Sequence, residues 1–185
     1  SKSSMCERDV SIEITSASPY IFNGNLIKTF TIDTISCLLT LKNGDLASNS
    51  FGNTSIIIWN TTTWEISNTL DGHFEPVLSF SNLLNGDLAS SSDDNTIIIW
   101  DTRTWEQKYT LTDHTHFVSA LTTLKNGDLA SGSTDQSIII WDKVNWTQKN
   151  NITNNKINDK VNALTTLLNG DLVASISYGP ILIWN

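Results

Sequence analysis

Residues 126–142 read NGDLASGSTDQSIIIWD, and this stretch decides the fold because the chain repeats it. Asn-Gly-Asp-Leu occurs four times in steps of 42, 41 and 43 residues, beginning at Asn43, Asn85, Asn126 and Asn169. Each copy leads through small residues into an apolar run that ends in a tryptophan, at Trp59, Trp100, Trp141 and Trp184. A fixed period of about 40 residues indicates a repeat architecture, in which each copy is one structural unit.

One copy predicts four short strands joined by tight turns. Residues 117–124 mix apolar and small polar side chains, and residues 129–133 are small enough for a crowded centre. Asn126-Gly127 between them favours a tight hairpin, because both residues tolerate positive φ. Residues 137–141 form an apolar run, which in a short strand indicates a sheet covered on both faces. Residues 146–152 are more polar, as expected of an outer edge.

Each unit is therefore predicted to be a four-stranded antiparallel meander that cannot bury both of its faces alone. Neighbouring copies must stack, and a ring of such sheets, or blades, leaves no end uncovered. Helices are not expected, because no stretch keeps a 3.6-residue apolar period.

The repeats resemble those of the WD-repeat β-propeller family. Trp100-Asp101 and Trp141-Asp142 are the Trp-Asp dipeptide of that family, and Trp-Asn replaces it in the first and last copies. Gly72-His73 resembles the family's Gly-His pair, with Asp113-His114 as a variant. The resemblance covers about residues 27–185. It implies an all-β fold class: a β-propeller of four-stranded antiparallel blades with four WD-type repeats.

The resemblance also implies a buried polar tetrad in each complete blade. Two sets match by position, namely His73, Ser90, Asp94 and Trp100, and His114, Ser131, Asp135 and Trp141. A buried indole N–H needs an acceptor, which Ser supplies while its own proton goes to the His. The first and last copies lack the His, so we do not expect complete tetrads there. Because the set recurs at identical spacing, we interpret it as structural and not as a hydrolase triad.

The ends of the pattern leave closure of the ring open. We predict an N-terminal extension at 1–25 and a propeller at 26–185, with blades at about 32–70, 71–111, 112–152 and 153–185. The last copy ends after its third strand, and residues 26–31 align with fourth strands, so they are the candidate closing outer strand. In the family an N-terminal strand commonly plays that role. A closed four-blade ring, part of a larger propeller and pairing of two open halves are the three alternatives.

The resemblance implies partner binding by the loops at one face of the ring. In this chain those loops hold Phe74, Glu75, Asp93, Thr115, His116 and Thr134. Their acidic and aromatic character favours a basic or Ser/Thr-rich peptide, and the alternative is that they are ordinary solvated loops.

A second aromatic set follows each blade tryptophan by five residues, at Trp64, Trp105 and Trp146. It is either a row on the opposite face that binds a partner or packing against the outer strand of the adjacent blade. We favour packing.

Composition argues against several other classes of protein. The formal net charge is −8, and the 11 Lys and Arg residues are scattered, so no basic stripe for nucleic acid is present. No apolar run reaches the roughly 18 residues that span a bilayer, so we expect no membrane partner. The two cysteines do not follow the repeat and indicate reduced thiols of an intracellular, cytoplasmic protein. His114 and His116 lack a third metal ligand by repeat phase, so neither a metal nor a cofactor is expected.

The sequence therefore predicts a non-enzymatic protein–protein interaction scaffold that presents loops to a peptide or protein partner. The alternative is a repeat module of a larger signalling or regulatory protein whose catalytic part lies outside this chain. A propeller hydrolase is less favoured, because we find no converging carboxylates, nucleophile or metal set outside the repeat pattern. A homodimer is expected only if the ring does not close on itself.

Overall fold

The computed structural model describes Thr29, residues 34–153, Ile157 and residues 159–185. This part of the chain contains fifteen strands and no helix, so the all-β prediction is confirmed. A helix with the length and apolarity of a membrane crossing is accordingly not found among these residues.

The strands form four antiparallel sheets, three of four strands and one of three, each running in chain order. The predicted meander is thereby confirmed. The first sheet comprises β1 (Ile35–Thr40), β2 (Leu46–Ser50), β3 (Ile56–Asn60) and β4 (Glu65–Leu70). The second comprises β5 (Val77–Asn82), β6 (Leu88–Ser92), β7 (Ile97–Trp100) and β8 (Gln107–Leu111). The third comprises β9 (Val118–Thr123), β10 (Leu129–Ser133), β11 (Ile138–Trp141) and β12 (Gln148–Ile152), and the fourth β13 (Val161–Thr166), β14 (Leu172–Ile176) and β15 (Ile181–Trp184).

The Asn-Gly turn between the first two strands differs in type from the expected hairpin. In the Asn126-Gly127 turn of the third sheet only Gly127 takes positive φ, at 95°, and its N–H donates to Leu124 O over 2.9 Å. Leu124 N–H donates in turn to Asp128 O at 2.8 Å, so the loop has three residues and ends on a left-handed glycine. Asn126 Oδ1 accepts from Asp128 N at 3.0 Å, which holds the Asn outside the left-handed region.

The core lies between the sheets. In β7, Ile97 and Ile99 join the apolar cluster between the second and third sheets, whereas Ile98 and Trp100 join the cluster between the first and second. All four side chains are buried, as the continuous apolar run predicted.

The sheets stack in chain order but do not close into a ring. Packing joins β1 to β5, β5 to β9 and β9 to β13. Among the described strands no comparable packing joins β13 back to β1, so a closed four-blade ring is not confirmed. The predicted extension at 1–25 and closing strand at 26–31 lie outside the described residues, apart from Thr29. The predicted domain boundaries therefore stay predictions.

Candidate functional site

The structure brings the tetrad residues of the second sheet into one hydrogen-bonded chain. Trp100 Nε1 donates to Ser90 Oγ over 2.8 Å, and Ser90 Oγ lies 2.8 Å from His73 Nε2. Because an indole can only donate, the Ser90 proton is directed to His73 Nε2, and His73 Nδ1 donates to Asp94 Oδ2 at 2.9 Å. This series of hydrogen bonds therefore connects the core tryptophan to the turn between β6 and β7.

The third sheet repeats this arrangement. Trp141 Nε1 donates to Ser131 Oγ over 2.8 Å, Ser131 Oγ lies 2.8 Å from His114 Nε2, and His114 Nδ1 lies 2.8 Å from Asp135 Oδ2. Ser131, like Ser90, has no exposed surface. Neither hydroxyl is therefore accessible from the surface, and the interpretation of both sets as structural stays a prediction.

The tetrad carboxylates stay ionised although they are half buried. Burial acts to raise the pKa of Asp94 and of Asp135, but hydrogen bonds from the histidines and from Thr96 or Ser137 outweigh it. The pKa of each carboxyl therefore lies well below its usual range.

Each tetrad carboxylate also anchors a candidate binding loop. Asp94 Oδ2 accepts from Phe74 N at 3.0 Å, and Asp135 Oδ2 accepts from Thr115 N at 3.0 Å. The loop that enters each sheet is thus fixed to the same carboxylate that orients the histidine.

The first and fourth sheets have different polar groups at the tetrad positions. In the first sheet Trp59 Nε1 donates to Ser48 Oγ at 2.8 Å, and the buried Asn49 donates to Asn53 O and Ser55 O, which holds the turn. In the fourth sheet Ala174 occupies the serine position, since Leu172 pairs with Trp184 as Leu129 pairs with Trp141.

The six predicted binding residues lie at one end of the sheets, in two groups. In the second sheet, Ser92 Oγ donates to Glu75 O and Asp93 N donates to Pro76 O, which joins the entering loop to the β6–β7 turn. Phe74 beside them is 87% exposed.

The third sheet uses equivalent bonds. Ser133 Oγ donates to His116 O at 3.0 Å, and Thr134 N donates to Phe117 O at 2.9 Å. Thr115 and His116 are exposed, and Thr134 is partly so. Within each sheet, therefore, the structure brings the predicted loop residues together.

Asp93 gives the second-sheet loop an acidic centre. Burial raises the pKa of Asp93, and the neighbouring charges of Glu75 and Asp94 raise it further. Its Oδ1 has no hydrogen-bond partner among the described residues. The same is true of Oδ1 of the adjacent Asn95, which lies in the left-handed region at φ 68°. Sequence reasoning missed Asn95, although Asn in a turn tolerates that conformation better than most residues.

Every sheet exposes an aromatic side chain at this end, which the predicted aromatic character of the loops anticipated in part. Phe51 and Tyr178 follow the second strands of the first and fourth sheets. Phe74 and Phe117 precede the first strands of the second and third sheets. The signal was available, because a meander places the end of its second strand beside the start of its first.

Two of the turn tryptophans at the opposite end, Trp105 and Trp146, pack against the apolar clusters between sheets. Trp146 is 8% exposed, and its ring centroid lies 6.1 Å from that of Tyr109 on β8, the outer strand of the adjacent sheet. Trp105 packs against the cluster between the first and second sheets. The favoured prediction of packing is confirmed for Trp146, and Trp64, Trp105 and Trp146 all take positive φ near 60°.

The histidine pair does not form a metal centre with its neighbours. His114 is engaged in its tetrad, and His116 Nδ1 lies 3.2 Å from Thr115 Oγ1. Over the described residues, no group of three or more His, Cys, Asp or Glu side chains is placed to hold a metal.

Comparison with known proteins places this geometry in a family. Residues 64–101 and 105–142 each match the family model WD40, described as the WD domain, G-beta repeat. No curated protein matches the chain. Among solved structures the chain is similar to the WD40 β-propeller domain of Doa1, with a TM-score of 0.73 and 24% identity over 82% of this chain and 50% of that one. This likeness shows the fold alone, and the chain spans about half the length of that structure. The two matched stretches confirm the resemblance to WD40 repeats that the sequence indicates.

Proposed function

We propose that the chain is a non-enzymatic scaffold that binds a protein or peptide partner at the loop end of its sheets. WD40 domains typically act as protein-interaction scaffolds, which supports this assignment at the level of the family. The binding surface consists of the loops that carry Phe74, Glu75 and Asp93 in the second sheet and Thr115, His116 and Thr134 in the third.

The observation that carries the proposal is the uncompensated Asp93 carboxylate. Its pKa is raised by burial and by the charges of Glu75 and Asp94, so its ionised form is held in an unfavourable position. A cationic group placed between Asp93 and Glu75 would relieve that repulsion, and the exposed Phe74 ring beside them would cover the apolar stem of a Lys or Arg.

The third-sheet loop complements a neutral polar segment of the same partner. Thr115, His116 and Thr134 offer hydroxyl and imidazole groups without a formal charge. A partner segment that alternates basic residues with Ser or Thr would therefore satisfy both loops. The net charge of −8 favours approach of such a segment over long range.

The absence of catalysis is part of the proposal and rests on the tetrads. Both serine hydroxyls are fully buried and accept from an indole, so neither meets a substrate. A cytoplasmic location is also proposed, since the cysteines do not follow the repeat as a disulfide framework would. A repeat module of a larger regulatory protein would use the same loops, so the test below applies to it as well.

The test measures fluorescence anisotropy of a labelled peptide of alternating Arg and Ser against the 185-residue chain. The double variant Glu75→Gln/Asp93→Asn should weaken binding by about tenfold or more, since it removes both charges that face the cation. The matched control Glu65→Gln/Glu106→Gln removes the same charge at the opposite end and should leave binding unchanged. Equal weakening by both variants would show unspecific attraction and reject the proposed site.

A further inference from the structure

The third strand of each sheet sets two isoleucines against the next sheet in chain order, on what we call the trailing face. Ile56 and Ile58 pack in the cluster between the first and second sheets, and Ile97 and Ile99 pack between the second and third. Ile138 and Ile140 likewise pack between the third and fourth sheets.

The trailing face of the fourth sheet is uncovered. Ile181 and Ile183 occupy the same strand positions but are 70% and 61% exposed. Leu167 is also exposed there, whereas its counterparts Leu41 and Leu83 are buried. Apolar positions that are buried or partly buried between successive sheets are thus exposed on the fourth sheet.

One set of hydrogen bonds between the first strands, at equivalent positions of the repeat, runs from each sheet to the sheet before it. Asn82 Nδ2 donates to Thr40 O at 2.8 Å, and Thr123 Oγ1 donates to Asn82 O at 2.9 Å. Thr166 Oγ1 donates to Thr123 O at 3.4 Å. At this position the second, third and fourth sheets each donate to a carbonyl of the sheet before them. Thr40 occupies the equivalent position of the first sheet and is exposed.

The turns that precede Asn-Gly alternate in character and give the junctions a two-sheet period. The residue before the Asn is in turn Lys42, Leu84, Lys125 and Leu168. Each Lys donates its Nζ to the carbonyl of the following Leu, at 2.7 Å for Lys42 and 3.3 Å for Lys125.

We call these Lys turns and Leu turns after the residue before the Asn. Where a Leu turn is followed by a Lys turn, between the second and third sheets, the contact is apolar. Leu84 lies over Gly127, where a Cβ would come within 3.0 Å of Leu84 Cδ1, and it lines a cavity of about 150 Å³ with Trp146. Leu168 is 99% exposed, and a sheet that continued this alternation would have a Lys turn. The first sheet has one, and the space around Gly44 is open, with nothing within 4 Å of its Cβ position.

We propose that two copies of this chain pair head to tail, with the trailing face of each fourth sheet on the leading face of the other copy's first sheet. Leu168 would then lie over Gly44 of the second copy, as Leu84 lies over Gly127. Thr40 of that copy would donate to Thr166 O. Two such junctions give a two-fold ring of eight sheets, within the four to eight blades that propellers have.

Sedimentation equilibrium of the 185-residue chain tests the pairing, with an expected mass of twice 20.5 kDa. Ile181→Lys/Ile183→Lys on the trailing face and Thr40→Lys on the leading face should each raise the dimer dissociation constant by on the order of a hundredfold. Circular dichroism should stay unchanged, because all three positions are exposed. The matched control Val144→Lys, an exposed apolar position on a turn of the third sheet, should stay dimeric.

Mixing the two interface variants distinguishes the geometry. Head-to-tail pairing predicts that the mixture associates again, because one trailing face and one leading face remain intact. A dimer that persists in Thr40→Lys would mean that trailing faces pair with each other, which overturns the proposal. A monomeric parent chain would also overturn the proposal, whether the trailing face of the fourth sheet is then covered by the chain's own N-terminal segment or by nothing. Oligomers whose mass increases with protein concentration would show that the contact does not close into a ring, and they would also overturn the proposal. The peptide-binding test uses other residues, so failure of either test leaves the other proposal standing.

Discussion

Trp100 Nε1 and Ser90 Oγ lie 2.8 Å apart in a site where Ser90 has no exposed surface and Trp100 almost none. Replacing Ser90 by Ala removes the acceptor of the indole N–H and the donor to His73 at once. Leaving two buried polar groups unsatisfied should lower the free energy of unfolding by about 2–4 kcal/mol, measured by urea denaturation. Ser48→Ala in the first sheet, where the bond to Trp59 is the equivalent one, should cost less, about 1–2 kcal/mol. Equal costs would contradict a linked chain in the second sheet.

The tetrad carboxylate Asp94 makes stability depend on acid. Burial acts to raise its pKa, but the hydrogen bonds from His73, Thr96 and the Phe74 amide lower it further than burial raises it. A carboxyl with a lowered folded-state pKa stabilises the fold above its unfolded value of about 3.9, and that contribution is lost as the pH falls toward the folded pKa. Unfolding curves should therefore show that the free energy of unfolding decreases below about pH 4. The Asp94→Asn variant should be less stable than the parent chain at pH 7, and its stability should decrease less in acid. A variant that keeps the full acid dependence would rule out Asp94 as its source.

Asp93, one residue away, should behave in the opposite sense. Its raised pKa means that the fold disfavours the ionised carboxylate, so its contribution to stability improves as the pH falls. Asp93→Asn should raise the free energy of unfolding by less than about 1 kcal/mol, and the melting temperature should rise slightly with it. Glu106→Gln, an exposed acidic position at the other end, serves as the control and should change nothing. A lower melting temperature for Asp93→Asn would show that the carboxylate holds the loop and is not poised for a cation.

Gly132 marks the tightest approach between the third and fourth sheets. A Cβ at this position would lie 2.4 Å from Val161 Cγ1. Gly132→Ala should therefore cost about 1–3 kcal/mol in free energy of unfolding through overpacking. Adding Val161→Ala to it should recover part of that loss, which a double-mutant cycle by urea denaturation would measure. Simple addition of the two single costs would show that the clash is relieved elsewhere.

Much of the fold follows from the repeat because its signals are local. The Asn-Gly step, the apolar run and the closing tryptophan each act within one hairpin, so the strands of residues 117–152 could be predicted from the sequence. The turn type was missed because the side-chain bond from Asn126 to Asp128 decides it, and propensity gives both Asn and Gly a left-handed option. Closure was beyond prediction because it depends on the summed angle between sheets.

The candidate site was predictable only in its residue identities. The spacing placed His73 and Asp94 in one set, and the structure brings them to 2.9 Å. The serine position of the fourth sheet was not recognised as Ala174, although it lies five residues after Asn169 as Ser131 lies five after Asn126, and the pairing of Leu172 with Trp184 shows the same register. The unsatisfied Oδ1 of Asp93 depends on the surrounding loops and leaves no mark in the sequence.

The alternation of Lys42, Leu84, Lys125 and Leu168 also restricts how such an array can change length. Gaining or losing one sheet would place two Leu turns or two Lys turns side by side, without their usual complement. Gaining or losing two adjacent sheets would leave every junction matched. A change in length that keeps this alternation therefore involves a pair of repeats, which spans 83 residues from Asn43 to Asn126 and 84 from Asn85 to Asn169.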